Sequence, residues 1–427
     1  MSKDLTPIQV NYKNIKPYDM SKPPLRQYAF WVHLIRLLSF FATLGLKKKV
    51  ERINMKGLKP PYFMLSNHMH FVDFELVSLA TRNHKVNNVV NLDGFYKRAW
   101  LLKLIGSIPT RKFTSDLYLI KSISKVIKRG DVLGMYPEAR YSPIGTTSYI
   151  PEAVAKLVKM NKCPVVAIIH RGNYLRAPAW EFRRKRKVPL HTTATQILTK
   201  EQVMSMSAQE INEVIQKAFV YDEYKYQKEN GILIKEKFRA EGLHRVLYKC
   251  PHCGSEEYMS SKGTILYCDK CHKEWNLNED GTLSALTGET EFSHIPSWFE
   301  WQREQVKQEI INGTYSYEDS VDVYSMPRTN KFIKLGNASI AHNFENGFVL
   351  EGNYNNADYR IIREPIQSVG LHVEYDYFRI KRDDCFVINT ENDSFFCYPT
   401  KRQIVTKLYL AVEEMYKLKL EEIKKNK

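Results

Sequence analysis

Cysteine is scarce in this chain, with 7 in 427 residues. Four of them form two tight pairs, and Cys163, Cys385 and Cys397 are scattered. This fits a reducing compartment with a metal site better than a disulfide framework of the secreted type. Internal repeats and low-complexity tracts are missing, so neither a solenoid nor a compositionally disordered tail is expected. No apolar leader opens the sequence. Met1-Ser2-Lys3-Asp4 runs into a polar, proline-containing stretch, so no secretory signal is expected. Long charge-free apolar runs are lacking too. The nearest approach, Ala29 to Leu46, carries Arg36 near its middle, at a cost of about 2.5–3.5 kcal/mol for a spanning helix. Leu34, Leu37, Leu38 and Phe41 share one helical face, and Lys47-Lys48-Lys49 follows. That pattern favours an interfacial amphipathic helix, with burial against the rest of the protein as the competing reading.

Acidic residues are in deficit. Lys and Arg number 64 against 47 Asp and Glu, a net charge of +17. The implied partners are anionic: nucleic acid, an anionic membrane face, or an acidic carrier protein. The length suggests about two to four units, and a hydrophobic content of 43% can build real cores.

Between residues 51 and 190, strand-like and helix-like runs alternate. Tyr62–Ser66, Val86–Leu92, Val132–Tyr136 and Pro164–His170 read as strands. Phe74–Thr81, Phe95–Ile105, Asp116–Lys128 and Pro151–Met160 read as helices. Such alternation predicts an α/β fold with a largely parallel sheet flanked by helices. Ligand sites then lie beyond the carboxyl ends of the strands. From Tyr315 to Tyr398 the segments shorten, as in Phe348–Leu350, Tyr359–Ile362, Tyr377–Ile380 and Cys385–Ile388. Asn-Gly and Asp-Asp turn signals divide them, and a final helical run starts near Thr400. A small antiparallel β module capped by a helix is expected, similar in topology alone to a pleckstrin-homology module. Ser297-Trp298-Phe299-Glu300 reads as a capping box that opens a linker helix ending near Asn312-Gly313.

One short segment carries chemistry. Asn67-His68 follows an apolar run, and Asp73 lies five positions after His68. In a continuous helix, residues five apart are rotated by about 140°, so the two would not share a face. They meet only if His68 occupies the strand-to-helix turn and Asp73 the first helical turn. Asp73 would then fix the tautomer of His68, leaving its other nitrogen to take a proton from a substrate hydroxyl. After another apolar run comes Tyr136-Pro137-Glu138-Ala139-Arg140, a matching anion-site candidate.

With these two blocks the chain resembles the glycerolipid acyltransferase family, which includes the 1-acylglycerol-3-phosphate (lysophosphatidic acid) acyltransferases. The family's Asn-His-x4-Asp block is met by Asn67, His68 and Asp73. Its Pro-Glu-Gly-Thr-Arg-Ser block resembles Pro137-Glu138-Ala139-Arg140-Tyr141-Ser142, with the arginine one position early and alanine for glycine. Gly106-Ser107-Ile108-Pro109-Thr110-Arg111 is similar to the intermediate block, one residue short, with Lys112 as a substitute for Arg111. Cys163-Pro164-Val165-Val166-Ala167-Ile168 is similar to the fourth. The resemblance implies His68 and Asp73 as catalytic residues, and Arg111, Glu138 and Arg140 as binders of the acceptor phosphate. It further implies an acyl thioester donor, acyl-CoA or acyl carrier protein, and lysophosphatidic acid as acceptor, with phosphatidic acid as product. No organic cofactor is expected beyond that thioester. Acyl transfer to another lysolipid is the near alternative.

Cys250-x2-Cys253 and Cys268-x2-Cys271, fourteen residues apart, read as a zinc ribbon with a closed, structural Zn²⁺ site, a redox dithiol pair or iron bound in rubredoxin style being the competing readings. The expected organisation is an N-terminal segment (1–50), an acyltransferase domain (51–235), a zinc ribbon (236–290), and a linker helix with β module (291–427). The expected location is the cytoplasmic face of an anionic membrane, peripheral or monotopic. A non-catalytic nucleic-acid-binding or scaffold protein would also use the ribbon and the charge, but the intact His68–Asp73 pair disfavours it.

Overall fold

The computed structural model describes residues 6–426, so Met1-Ser2-Lys3-Asp4 lies outside the described residues. The first module is a mixed sheet of β1 (Lys48–Ile53), β2 (Phe63–Ser66), β3 (Val86–Asn91), β4 (Ile108–Thr110), β5 (Val132–Met135), β6 (Val165–Arg171) and β7 (Leu190–Leu198). Their order is β1-β7-β6-β2-β5-β3-β4. All neighbours run parallel except β6 and β7. Helices α1 (Ala29–Ala42), α2 (Val72–Thr81), α3 (Ala99–Leu104), α4 (Leu117–Lys128), α5 (Ala153–Asn161), α6 (Asn173–Arg176), α7 (Lys200–Ser205), α8 (Ala208–Ala218) and α9 (Glu223–Glu229) accompany it.

The central strands are continuous apolar runs because both faces of the sheet are covered. Phe63 and Leu65 of β2 share a core with Leu133, Val165, Ile123 and Val154. Tyr62 and Met64, with the opposite parity, join Val77, Val132 and Val166 on the other face. Helix α4 begins where the Asp116 carboxylate accepts from the Leu119 amide at 2.9 Å, the expected N-cap. It stops at Gly130, whose φ of +84° suits glycine.

Three strands escaped the sequence reading. β1 is the charged edge strand Lys-Lys-Val-Glu-Arg-Ile, and charge on an edge blunts unwanted pairing while hiding the strand pattern. β4 is three residues long and contains Pro109, which only an edge accommodates. β7 buries Leu190, Thr192, Ala194 and Leu198, so its inward face is partly polar.

Next come β8 (Met259–Lys262), β9 (Ile265–Cys268), β10 (Glu274–Leu277) and β11 (Leu283–Ala285), an antiparallel sheet in the order β11-β10-β9-β8. Helix α10 (Ile295–Ile311) leads onward. It starts ahead of the expected capping box, with Pro296 in its first turn, where a missing amide costs nothing. Ser297 therefore lies inside the helix, and its hydroxyl meets His294 Nδ1 at 2.9 Å.

The last module is a second seven-stranded sheet of order β15-β14-β13-β12-β18-β17-β16. Its strands are β12 (Tyr317–Arg328), β13 (Lys331–Asn343), β14 (Gly347–Tyr354), β15 (Ala357–Arg363), β16 (His372–Glu374), β17 (Cys385–Asn389) and β18 (Ser394–Pro399), closed by α11 (Ile404–Lys425). Asn355 and Asn356 both have positive φ, at 54° and 59°, as a two-residue hairpin turn requires. The expected strand Tyr377–Ile380 is a turn instead, following Asp376 at φ +51°. The strand in this region is β16.

One core joins the modules. It runs from Met69, Tyr174 and Trp180 through Leu266 and Trp275 to Trp298, Phe386, Leu408 and Met415. Trp275 and Trp298 meet edge to face at 4.9 Å. Each indole N–H is satisfied, by Glu291 and by the Lys249 carbonyl respectively.

Candidate active site

Adjacent parallel strands deliver the site residues to one edge of the first sheet. β2 leads into Asn67 and His68, β5 into Tyr136–Ser142, and β6 into Asn173. The Asn67 amide extends the strand pairing, donating to the His170 carbonyl at 3.0 Å and accepting from the His170 amide at 2.8 Å. His68 is thereby fixed in the turn, and Asp73 is the second residue of α2.

His68 Nδ1 lies 3.0 Å from Asp73 Oδ2. The same oxygen accepts from the Met69 amide at 2.6 Å and the His70 amide at 3.0 Å. Oδ1 accepts from Asn173 Nδ2 at 2.7 Å. Asp73 is fully buried, and burial alone would raise its pKa. The His170 ring, the bond from His68 and the Asn173 amide outweigh that and hold the carboxylate below its ordinary range. Asn173 is a functional candidate that the sequence reading missed. Its signal is an amide placed just past the carboxyl end of β6.

The imidazole of His68 lies between two aromatic rings. Tyr136 stacks on it at 3.7 Å and 16°, and Tyr141 at 4.0 Å and 34°. Two rings this close cannot share one face, so they occupy opposite faces. Burial lowers the pKa of His68, the hydrogen bond and charge of Asp73 oppose this, and Lys112 adds to the lowering. Neutral imidazole, the form a general base needs, is favoured near pH 7. Once protonated, the ring would lie against two electron-rich faces, which attract a cation. The one hydrogen bond of the ring among the described residues is that of Nδ1, and the side chain keeps 19% exposure. The Ser142 amide donates to the His68 carbonyl at 2.8 Å, tying the second motif to the first.

The three expected phosphate ligands are placed differently. Arg111 is 1% exposed and donates to the carbonyls of Glu391 at 3.1 Å and Asn392 at 2.9 Å, in the β17–β18 turn. Glu138 is buried and accepts from the Ser148 amide at 2.9 Å and from the Tyr221 hydroxyl; burial pushes its pKa up to about 7. Arg140 forms a buried ion pair with Glu413 of α11. Its guanidinium also lies over the Tyr409 ring at 4.6 Å and near Phe113 at 5.4 Å. Ala139 takes φ +56° where the resembled motif has glycine, a conformation costing an L-residue about 1–2 kcal/mol. Both arginines are thus engaged by the β module and α11.

Lys112 is the cation the structure brings toward His68. Arg111 ends the run from β4, and Lys112 opens the turn that continues through Phe113 at φ +59°. Lys112 has no carboxylate within 4.0 Å among the described residues (Arg111 has none either). Its ammonium is nonetheless felt by His68, Asp93 and Glu374. Asp93 lies in the turn after β3, and His372 and Glu374 project from β16 of the last module. Asp93 and Glu374 in turn act on Tyr141, so the module contributes to the surroundings of the pair.

The cysteines gather elsewhere. The sulfurs of Cys250, Cys253, Cys268 and Cys271 all lie within 4.8 Å of one another. Cys250–Cys271 measures 3.7 Å and Cys253–Cys268 3.8 Å. A disulfide needs about 2.05 Å. A tetrahedral ion with Zn–S bonds of about 2.3 Å separates its sulfurs by about 3.8 Å. The quartet therefore fits Zn²⁺, and with four thiolates it would supply a structural cross-link. The knuckles turn at Gly254 (φ +72°) and His272 (φ +60°), whose amides donate to the Cys250 and Cys268 carbonyls at 2.9 Å each.

No protein-family model matches the chain, and no curated protein matches it. Among solved structures it is similar to the 1-acyl-sn-glycerophosphate (LPA) acyltransferase PlsC from Thermotoga maritima. The identity is 12% and the TM-score 0.36, over 44% of this chain and 76% of that one.

Proposed function

We propose that this protein transfers a fatty acyl group from a thioester, acyl-CoA or acyl carrier protein, to the free hydroxyl of a phosphate-bearing lysolipid such as 1-acylglycerol-3-phosphate. The observation that carries this reading is the pair itself. His68 Nδ1 is held at 3.0 Å by a buried carboxylate, the one hydrogen bond of the ring among the described residues, which leaves Nε2 for the substrate. As the hydroxyl oxygen bonds to the thioester carbonyl carbon, Nε2 takes its proton. The tetrahedral intermediate then collapses, the C–S bond breaks, and the imidazolium returns the proton to the leaving thiolate. General-base help of this kind supplies about 10²–10⁴-fold. The remainder comes from positioning of the two substrates.

Lys112 is the cation proposed to hold the acceptor phosphate, because Arg111 and Arg140 are committed to other contacts. The Cys250–Cys253–Cys268–Cys271 quartet is proposed to hold a structural Zn²⁺. Attachment to an anionic membrane surface from the cytoplasmic side is proposed through α1. There Phe30, Leu37, Leu38, Phe40 and Phe41 are 47–65% exposed and Lys47-Lys48-Lys49 follows. Among the described residues no helix is long and apolar enough to cross a membrane.

The test is an acyl-transfer assay crossing both thioester donors with lysolipids of different headgroup. Thioester consumption with a lysophospholipid is expected, falling at least about 10²-fold in His68→Ala with an unchanged melting temperature. Lys112→Ala is expected to raise KM for phosphate-bearing acceptors while leaving kcat nearly unchanged. Full turnover by purified His68→Ala overturns the reading.

A further inference from the structure

We infer a divalent-cation site at the junction of the first sheet and the β module, formed by Asp93, His372 and Glu374. One ligand atom from each of the three lies within 4.8 Å of those of the other two. His372 and Glu374 are alternate residues of the short strand β16, so they project from the same face. Their Nε2 and Oε1 atoms are 2.8 Å apart. At metal–ligand distances of about 2.0–2.2 Å, neighbouring ligands on one ion lie about 3 Å apart and opposed ones about 4.2 Å. The His372–Glu374 spacing is that of neighbouring ligands, and the 4.8 Å bound on the whole cluster is slightly wider than the opposed spacing, so an ion would draw the three together.

A hydrogen-bonded His–Glu pair is the simpler account of these residues, and it leaves something over. His372 is 1% exposed, yet its Nδ1 has no hydrogen-bond partner among the described residues. A buried ring nitrogen without a partner costs free energy, and because Nε2 is the atom that faces Glu374, it is a turn of the ring that would present Nδ1 to an ion in the cluster. Asp93 is held ready from outside the cluster, because its carboxylate accepts from Asn91 Nδ2 at 2.7 Å. Arg379 donates to its backbone carbonyl. Outer contacts of this kind orient first ligands in metal sites.

The donor set fixes the class of ion. Two carboxylates and one imidazole with open positions suit Mn²⁺ or a similar divalent cation, whereas four thiolates select zinc. The two sites therefore differ in softness, and the thiolates take zinc first; excess zinc would also bind the carboxylate–imidazole set, so the chain carries one zinc at the start of the titration. Lys112 stands beside the cluster, within electrostatic reach of both Asp93 and Glu374. Ion and ammonium together would oppose two positive centres to a phosphate dianion close to His68. That last step rests on the acyl-transfer reading; the binding of the ion does not.

The probe is Mn²⁺, titrated into the full-length, zinc-loaded chain and followed by electron paramagnetic resonance of the free ion. One Mn²⁺ bound per chain is expected. Glu374→Gln and Asp93→Asn should each weaken binding at least tenfold, with zinc content and far-UV circular dichroism unchanged. Absence of bound Mn²⁺ at millimolar concentration overturns the site, as does unchanged affinity in both variants. No turnover is measured, so a failed metal site leaves the acyl-transfer reading standing, and an inactive enzyme leaves the metal result standing.

Discussion

Asp73 carries more of the site than its distance from His68 conveys. One carboxylate oxygen serves the imidazole and two backbone amides, and the other serves Asn173. The residue sets the tautomer of His68, builds the turn that presents it, and raises its proton affinity against burial and Lys112. The acid limb of the pH–rate profile follows. A base whose folded pKa lies below the ordinary histidine value of about 6.5 stays active to lower pH, so the limb is expected to have its midpoint below 6.5. In Asp73→Asn the opposing contribution is gone, so the midpoint should move lower still while kcat falls by about 10²–10⁴. A profile of kcat/KM against pH measures both. A limb that moves upward in Asp73→Asn would refute the assignment. At this scale the sequence was informative about the pair, because local spacing dictates that His68 and Asp73 meet only across a turn. It was silent about Tyr136 and Tyr141 as neighbours of His68 and Asn173 as a partner of Asp73, since their proximity depends on which strands lie side by side.

Among the elements, α11 does the most to change the reading of a motif. Arg140 and Arg303 both ion-pair with Glu413, which is 3% exposed. Arg303 also reaches Glu414 at 3.1 Å. Burial lifts the Glu413 pKa, but the two guanidiniums more than offset it and keep the group ionised. A buried pair is costly to break, because one uncompensated charge remains. Glu413→Gln is therefore expected to lower the unfolding free energy by about 3–5 kcal/mol. Combining Glu413→Leu with Arg140→Met should cost less than the sum of the two single changes. Urea unfolding of the four proteins gives the numbers, and strict additivity would show that the pair is not coupled. The phosphate role expected of Arg140 rested on a resemblance of local motif alone. The partner that claims it lies 273 positions later, a separation that no local pattern records. The same holds for Arg111 and the β17–β18 turn. Strands were legible where burial on both faces made them uniformly apolar, as in β2, β5 and β6, and were lost at charged or proline-bearing edges.

For the molecule as a whole, the continuous core that locks the modules together buries histidines that take no part in the proposed chemistry. Burial pushes His70 down to about 4, His244 to about 4 and His342 to about 3. His342 shows the cause most plainly. It is 2% exposed, shares a hydrogen bond with the Tyr315 hydroxyl at 2.9 Å and stacks on Phe348 at 4.0 Å, an environment that disfavours an added proton and its charge. In the unfolded chain each of these histidines titrates near 6.5, so below that pH the unfolded state binds more protons than the folded one. Stability is therefore complete above about pH 6.5 and declines as pH falls toward the folded values, by up to about 1.4 kcal/mol per pH unit for each such group. The net charge of +17 acts in the same direction, because added protons increase self-repulsion. The melting temperature should accordingly fall steadily from pH 6.5 to pH 4. His342→Phe fills the same stacked position without a titrating nitrogen. It should start from lower stability, since Tyr315 loses its hydrogen-bond partner, yet lose stability less steeply over that range. The slope of unfolding free energy against pH is the measurement, and an unchanged slope in His342→Phe would remove His342 from the account of acid sensitivity.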